Sequence, residues 1–404
     1  MTLPSPLRRR LVFLLLSLAV VTPFVVAASQ AAGAAKEGSK EAGKVEVEDD
    51  SIFKYLTVFT EVLGLVRSAY VEPTEPEVLM TSALDGTVDA LDPFASFVPA
   101  SAAQKFGEAA RVGASRSGLR LARERGMVFV ATVDEGGPAA KSGVAVGDIL
   151  AKLDGASSRQ MPFWEIEARF AAAEGTHVDS EWIRRGEMKK VDLVLASFAA
   201  AAPSLSASRG VPVLHLPQLT SATVAQVREL LAAQHPTRLV FDLRGTTGSD
   251  PRAAFDLGAL FADGELGQLK VRDKSVETFT DTTPNLFAGE MVALVDRSTV
   301  GPAEVLAALL QQRAGARLVG ERTFGYAGRQ ETVTLSDGSR LRLATGFYTG
   351  PDGKPISTGL SPDLSVDEST RRFGEKDEPL GELILRKGVG LLLGEEKLPE
   401  KKAA

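Results

Sequence analysis

The three histidines, His177, His215 and His235, are the first residues to test for chemistry. They are widely spaced, so a histidine-rich metal site is not expected. His215 lies in the apolar run Val211-Pro-Val-Leu-His-Leu and has two readings, a general base or an ordinary strand histidine. No partner motif accompanies it, which favours the strand reading. None of the three carries a neighbouring nucleophile motif, so no Ser/His/Asp set is visible. The chain has no cysteine, which excludes disulfides, thiolate catalysis and cysteine-ligated metals together. No cofactor and no metal is expected.

The elements that must position any site read as follows. From Ser51 the apolar residues Phe53, Leu56, Phe59, Leu63, Val66 and Tyr70 fall on one helical face. Glu72-Pro-Thr-Glu-Pro76 breaks that helix, and a second one ends at Leu91-Asp-Pro93, where proline forbids continuation. Residues 113–196 mix short strands with two helices, a small α+β module. Residues 198–208 are rich in Ala and Ser and read as a linker. Beyond them strands and helices alternate up to Leu318-Val319, which implies crossover units and a largely parallel sheet. Thr332–Leu335 and Arg340–Thr345 flank Ser336-Asp-Gly-Ser339, a hairpin signal. The tail from Glu368 is charged, with one more apolar pattern at Leu380 to Leu393.

Composition narrows the function classes. Of 404 residues, 44% are hydrophobic and 24% charged, enough for two or three domains with a large core. The net charge is −6 and aromatics make up 6%, so neither a basic face nor a stacking platform for nucleic acid is expected. Arg8-Arg-Arg10 precedes an apolar run from Leu11 to Ala28, followed by small residues. That is the pattern of a secretory signal peptide, with an uncleaved membrane anchor as the alternative. The folded part is therefore expected to be exported, periplasmic or extracytoplasmic, with membrane contact only through an uncleaved N-terminal segment.

From about residue 52 to residue 367 the chain resembles the tail-specific (carboxyl-terminal processing) serine proteases. Tyr70-Val-Glu-Pro, Leu84-Asp-Gly and Leu91-Asp-Pro-Phe-Ala-Ser-Phe97 look like that family's N-terminal helical region. Gly137-Pro-Ala-Ala-Lys-Ser-Gly-Val144 and Val146-Gly-Asp-Ile-Leu150 look like its PDZ domain. Phe241-Asp-Leu-Arg, Val319-Gly-Glu-Arg-Thr-Phe-Gly325, Leu335-Ser-Asp-Gly-Ser and Thr358-Gly-Leu-Ser-Pro-Asp363 follow in the family's order. The resemblance implies mixed α/β and α+β architecture. With the composition of the two ends, it divides the chain into a signal peptide or anchor (1–28), a linker (29–50), an N-terminal helical region (51–112), a PDZ domain (113–196), a protease-like core with a largely parallel sheet (205–367) and a charged tail (368–404).

The resemblance also implies a serine nucleophile, three residues before a helix-opening glutamate, deprotonated by a neutral lysine after the Thr-Phe-Gly turn. Here the glutamate is Glu304, so the nucleophile position holds Gly301, and the lysine position holds Tyr326. Glycine cannot form an acyl-enzyme. A phenol of pKa about 10 could act as a base, but it has no nucleophile to deprotonate. No lysine lies between Lys274 and Lys354 to replace it. The residue after the nucleophile position, whose N–H the family uses in its oxyanion hole, is Pro302, which has none. The family's glycine pair after the core strand becomes Gly248-Ser249, and Gln330 matches the glutamine that orients the family's lysine. Ser298 and Thr299 read as turn or cap residues. The expectation is an inactive relative that binds peptide or protein C-termini. Ser117-Gly118-Leu119 is its capture loop by resemblance, and it acts as a scaffold or as an adaptor for an active protease relative. The alternative is an active carboxyl-terminal processing endopeptidase with atypical catalytic residues.

Overall fold

The computed structural model describes residues 50–399 apart from Ser249, Asp273 and Lys376. The expected signal peptide and nearly all of the expected linker lie outside these residues. The chain divides into a unit ending at Pro73, whose described part is the helix Asp50–Ala69 (α1), and a unit from Thr74 onward. In the second unit the helix Pro76–Asp89 (α2) is followed by the short strand Ser96–Val98 (β1) and the helix Ala103–Val112 (α3).

A small sheet follows, built from Leu119–Glu124 (β2), Met127–Val133 (β3), Ile149–Leu153 (β4), Ala156–Ser157 (β5), His177–Arg184 (β6) and Glu187–Val194 (β7). Its order is β2-β3-β4-β6-β7, with β5 on β4. One turn of helix at Pro138–Lys141 (α4) and the helix Phe163–Phe170 (α5) close it. The module has its own core, in which Leu121, Val130, Leu150, Phe163, Ile166, Trp182 and Leu193 pack together. Strand β2 is an edge, paired only with β3.

The main sheet has the order β17-β14-β13-β10-β9-β8. Its strands are Ser204–Ser208 (β8), Val211–His215 (β9), Arg238–Asp242 (β10), Glu290–Val295 (β13), Arg317–Gly320 (β14) and Leu364–Ser365 (β17). All neighbours are parallel except β8 and β9. Alternate residues of the central strands feed opposite faces. Leu239, Phe241, Met291, Ala293 and Val295 pack under the helices Ser221–Gln234 (α6), Pro251–Gly258 (α7) and Pro302–Gln312 (α8). Val240, Val292 and Leu294 point the other way, to Leu383, Ile384 and Val389 of the helix Leu380–Leu392 (α9). A strand buried on both faces reads as a continuous apolar run, which is why Arg238–Leu243 and Met291–Val295 stood out.

Two features differ from the sequence reading. Residues 204–208 are not linker but the antiparallel edge strand β8, paired from Ser204↔His215 to Ser208↔Val211. Its residues are serine and small apart from Leu205, so its alternation carries little apolar contrast. The charged tail is not merely a tail, because α9 covers a whole face of the sheet. A Cβ at Gly388 would lie 2.6 Å from Leu294 Cδ2, so glycine there lets helix and sheet approach closely. A third sheet, of β1, Gly264–Val271 (β11), Lys274–Asp281 (β12), Gly328–Thr334 (β15) and Arg340–Thr349 (β16), includes a hairpin, β11–β12, that the reading left unassigned.

Leu383 is fully buried against this face. Leu383→Ala should lower unfolding stability by about 2–5 kcal/mol, the usual range for deleting a buried leucine side chain. Denaturant titration would measure it, and a loss under about 1 kcal/mol would show that α9 is dispensable to the sheet.

Candidate functional site

Strand β13 runs into the turn Asp296–Gly301 and out along α8. In that turn Ser298 Oγ donates to Asp296 Oδ1 at 2.5 Å and accepts from Gly245 N at 2.7 Å. Thr299 Oγ1 accepts from Asp296 N at 3.1 Å and donates to Leu243 O at 3.4 Å. Both side chains are buried. The two hydroxyls nearest position 301 therefore lock the turn and are not free nucleophiles. Burial pushes Asp296 above the ordinary carboxylate range.

Gly301 has φ 65° and ψ −122°, a conformation that strains any residue with a side chain. A sharp, strained strand-to-helix turn of this kind is how a nucleophile is raised clear of a sheet. The position is open: a Cβ there would meet only Arg120 Nη1 at 3.6 Å and Tyr326 O at 3.8 Å. A hydroxyl would fit, but the residue that would carry it is absent. Pro302 takes the first position of α8, where a missing N–H leaves no hydrogen bond unmade.

Glu304 fixes this geometry from beneath. It is fully buried, and its carboxylate accepts four hydrogen bonds. Gly301 N and Tyr326 N donate to Oε2 at 3.1 and 2.9 Å, while Thr323 Oγ1 and Gly325 N donate to Oε1 at 2.5 and 2.7 Å. Burial pushes its pKa up, and the four donors pull in the opposite direction without cancelling it. One buried carboxylate thus joins the turn at 301 to the turn at 323–326.

Tyr326 leaves that second turn with its ring packed between Phe94 and Phe347, at centroid distances of 4.9 and 6.1 Å. Its hydroxyl meets Asp92 Oδ1 at 3.2 Å and the Gln330 amide, and Gln330 Nε2 also donates to Asp92 Oδ1 at 3.0 Å. Burial first, and the Asp92 carboxylate second, push the phenol well above 10. It is a neutral, engaged group, not a base. Asp92 is pinned in turn by Phe94 N at 2.9 Å and Ala344 N at 3.1 Å. In the sequence Leu91-Asp-Pro-Phe is visible only as a family marker. Nothing there places Asp92 and Phe94 at the site, because they lie more than two hundred residues away along the chain.

The other expected site residues are dispersed around this centre. Gly248 lies on the loop after β10, with φ 142°, and a Cβ there would strike Leu219 O at 2.6 Å. Ser249 is outside the described residues. Pro302 donates nothing, and Thr246 N and Thr247 N already bond Leu243 O and Pro217 O. Ser117 and Gly118 enter β2, but Gly118 N donates to Ala114 O at 2.7 Å and Leu119 N to Ser117 Oγ at 3.2 Å. His215 stands on β9 with Nε2 2.9 Å from Glu135, and His177 pairs Asp192 at 2.8 Å. His235 caps α6 in the left-handed conformation. The histidines thus lie apart from this centre.

Comparison with known proteins fits this architecture. Residues 210–366 match the model of peptidase family S41. A carboxy-terminal-processing protease of Bartonella bacilliformis is 25% identical over 358 residues, covering 84% of this chain and 81% of that protein. The carboxy-terminal processing protease CtpA of Bacillus subtilis is 25% identical over 312 residues, covering 75% and 67%. Among solved structures, a photosystem II D1 C-terminal processing protease shares the fold, with a TM-score of 0.62 at 23% identity over 82% of this chain and 96% of that one. The core is a peptidase S41 domain. Beyond that domain, the chain as a whole is similar to the carboxyl-terminal processing proteases.

Replacing Glu304 by Gln puts an amide NH₂ against two of the four donors. Glu304→Gln should therefore cost about 3 kcal/mol or more, as for breaking a buried charged network. Thr323→Val, which removes one donor, should cost about 1–2 kcal/mol. Thermal and denaturant unfolding of both variants would test the ranking, and an unaffected Glu304→Gln protein would contradict the role given to this carboxylate.

Proposed function

We propose that this protein is an exported pseudoprotease. It binds peptide or protein C-termini through its small sheet module, read as a PDZ domain, and acts as a scaffold or adaptor without cutting. The observation that carries this reading is Gly301: a strand-to-helix turn held in the strained geometry of a nucleophile, with room for a hydroxyl and none present. Ser298 and Thr299 are engaged in the turn, and the phenol of Tyr326 is tied to Asp92 and Gln330. Pro302 adds an independent loss, since one missing oxyanion donor reduces rates by about two to three orders of magnitude.

Binding is supported by a cavity of about 570 Å³ that runs from the module to the core cleft, touched by Ser117, Leu119, Phe170, Gly248 and Gln330. The edge strand β2 and the helix α5 both contribute to its wall. Such an arrangement suits an extended chain end. Export rests on the basic, apolar and small-residue pattern of residues 1–28.

The test is cleavage of an unfolded protein by four versions of the chain. The parent, Gly301→Ser and Gly301→Ser/Tyr326→Lys should all be silent. Gly301→Ser/Pro302→Ala/Tyr326→Lys should show weak turnover, because nucleophile, base and donor act as a unit. Recovery should be partial, since Asp92 would hold a lysine at 326 in its charged form. Parent activity lost on mutating the cleft, or clear activity in Gly301→Ser alone, would refute the reading.

A further inference from the structure

The cavity between module and core contains one cation that, among the described residues, makes no direct ion pair or hydrogen bond. Its charged lining residues are Arg111, Arg120, Asp134, Glu167 and Arg342. Arg342 places Nη2 2.5 Å from Glu167 Oε2 and donates through Nε to Phe94 O at 2.9 Å. Arg111 Nε bonds Gly107 O at 3.3 Å. Burial drives Asp134 towards its neutral form. Among the described residues, Arg120 alone of this set's arginines has neither a carboxylate within ion-pair distance nor a hydrogen-bond acceptor. Its guanidinium lies 4.3 Å from the Phe94 ring centroid, and Nη1 lies 3.6 Å from where a Cβ of residue 301 would stand.

A half-buried guanidinium over an aromatic face, with five donors and no partner, is matched by a planar carboxylate. The apolar wall beside it, from Leu119, Trp164 and Phe170, suits the side chain of the residue bearing that carboxylate. The glycine loop at the entry to β2 offers no equivalent anchor. The Gly118 amide is held by Ala114 and the Leu119 amide by Ser117.

We propose that Arg120 is the carboxylate anchor of this cavity, receiving the free C-terminus of a bound peptide beside the vacant position at Gly301. The inference rests on the reading that the protein binds C-termini, but it moves the anchoring charge from the Ser117–Leu119 loop to Arg120. A chain end held there occupies the cleft as a cleavage product would, with its carboxylate where a nucleophile would otherwise stand.

The experiment uses the purified protein and a fluorescent peptide with an apolar end residue, as free acid and as amide. The parent should prefer the acid by roughly tenfold to a hundredfold, the size of one charge-assisted pair. Arg120→Gln should abolish that preference, weakening the acid far more than the amide, and Arg120→Lys should keep part of it. If the parent prefers the acid and Arg120→Gln keeps the full preference, the carboxylate binds elsewhere and only this inference falls. If the parent shows no preference, C-terminal recognition itself falls. Should the variants fail to fold, phenylglyoxal labelling of the parent decides, with Arg120 followed by mass spectrometry. Protection of Arg120 by the acid but not the amide supports the anchor. Equal labelling, or no labelling at all, overturns it.

Discussion

The site depends on one buried carboxylate. Among the described residues Glu304 has no cation within ion-pair distance; it is held by three backbone N–H groups and one hydroxyl. A carboxylate in that position is stable only while all its donors stay in place. It therefore sets the distance and orientation between the turn at Gly301 and the turn at Thr323–Tyr326. Nothing in this arrangement requires a side chain at 301 or a basic one at 326. The scaffold of a catalytic site can survive here because its geometry is written in backbone amides and Glu304, not in the groups that would react.

The groups around position 326 are also mutually satisfied. The Tyr326 ring fills space between Phe94 and Phe347, and its hydroxyl joins Asp92 and Gln330. A neutral phenol can bridge a carboxylate and an amide without adding charge to a buried place. Charge enters instead from the module side, where Arg120 lies over Phe94; burial lowers its pKa, and the Glu167 and Glu304 carboxylates act the other way. The cleft thus keeps a cation, displaced from the position where proton transfer would need it. A guanidinium, unlike an ammonium, stays protonated at any ordinary pH, so it can attract an anion but cannot serve as a base.

The sequence made the parallel sheet legible because β10 and β13 are buried on both faces and appear as unbroken apolar runs. The small module was legible from its turns, and the fate of position 301 from its fixed spacing to Glu304. What stayed hidden was long-range. Strand β8 was obscured by its serines and small residues. The role of α9 was obscured because an amphipathic helix in a charged tail does not say which surface it covers. Asp92 and Arg120 were missed for a common reason: each reaches the centre from a different module. Only the folded chain brings the Leu91–Phe94 turn and the first strand of the small sheet to the same cleft.

Gly301, which offers no hydroxyl, and Pro302, which offers no amide donor, also relieve the backbone. A serine at φ 65° and ψ −122° would carry strain of about 1–3 kcal/mol, which active sites tolerate for the sake of an exposed nucleophile. Glycine adopts that conformation without the penalty. Proline at the first helical position is already set for the α8 backbone and gives up only an N–H with no partner inside the helix. Gly301 and Pro302 are each a poor choice for catalysis and a good one for a rigid turn ahead of a helix. Under the proposed reading, the open position at Gly301, with Arg120 Nη1 3.6 Å from where a Cβ would stand, is where a chain end comes to rest.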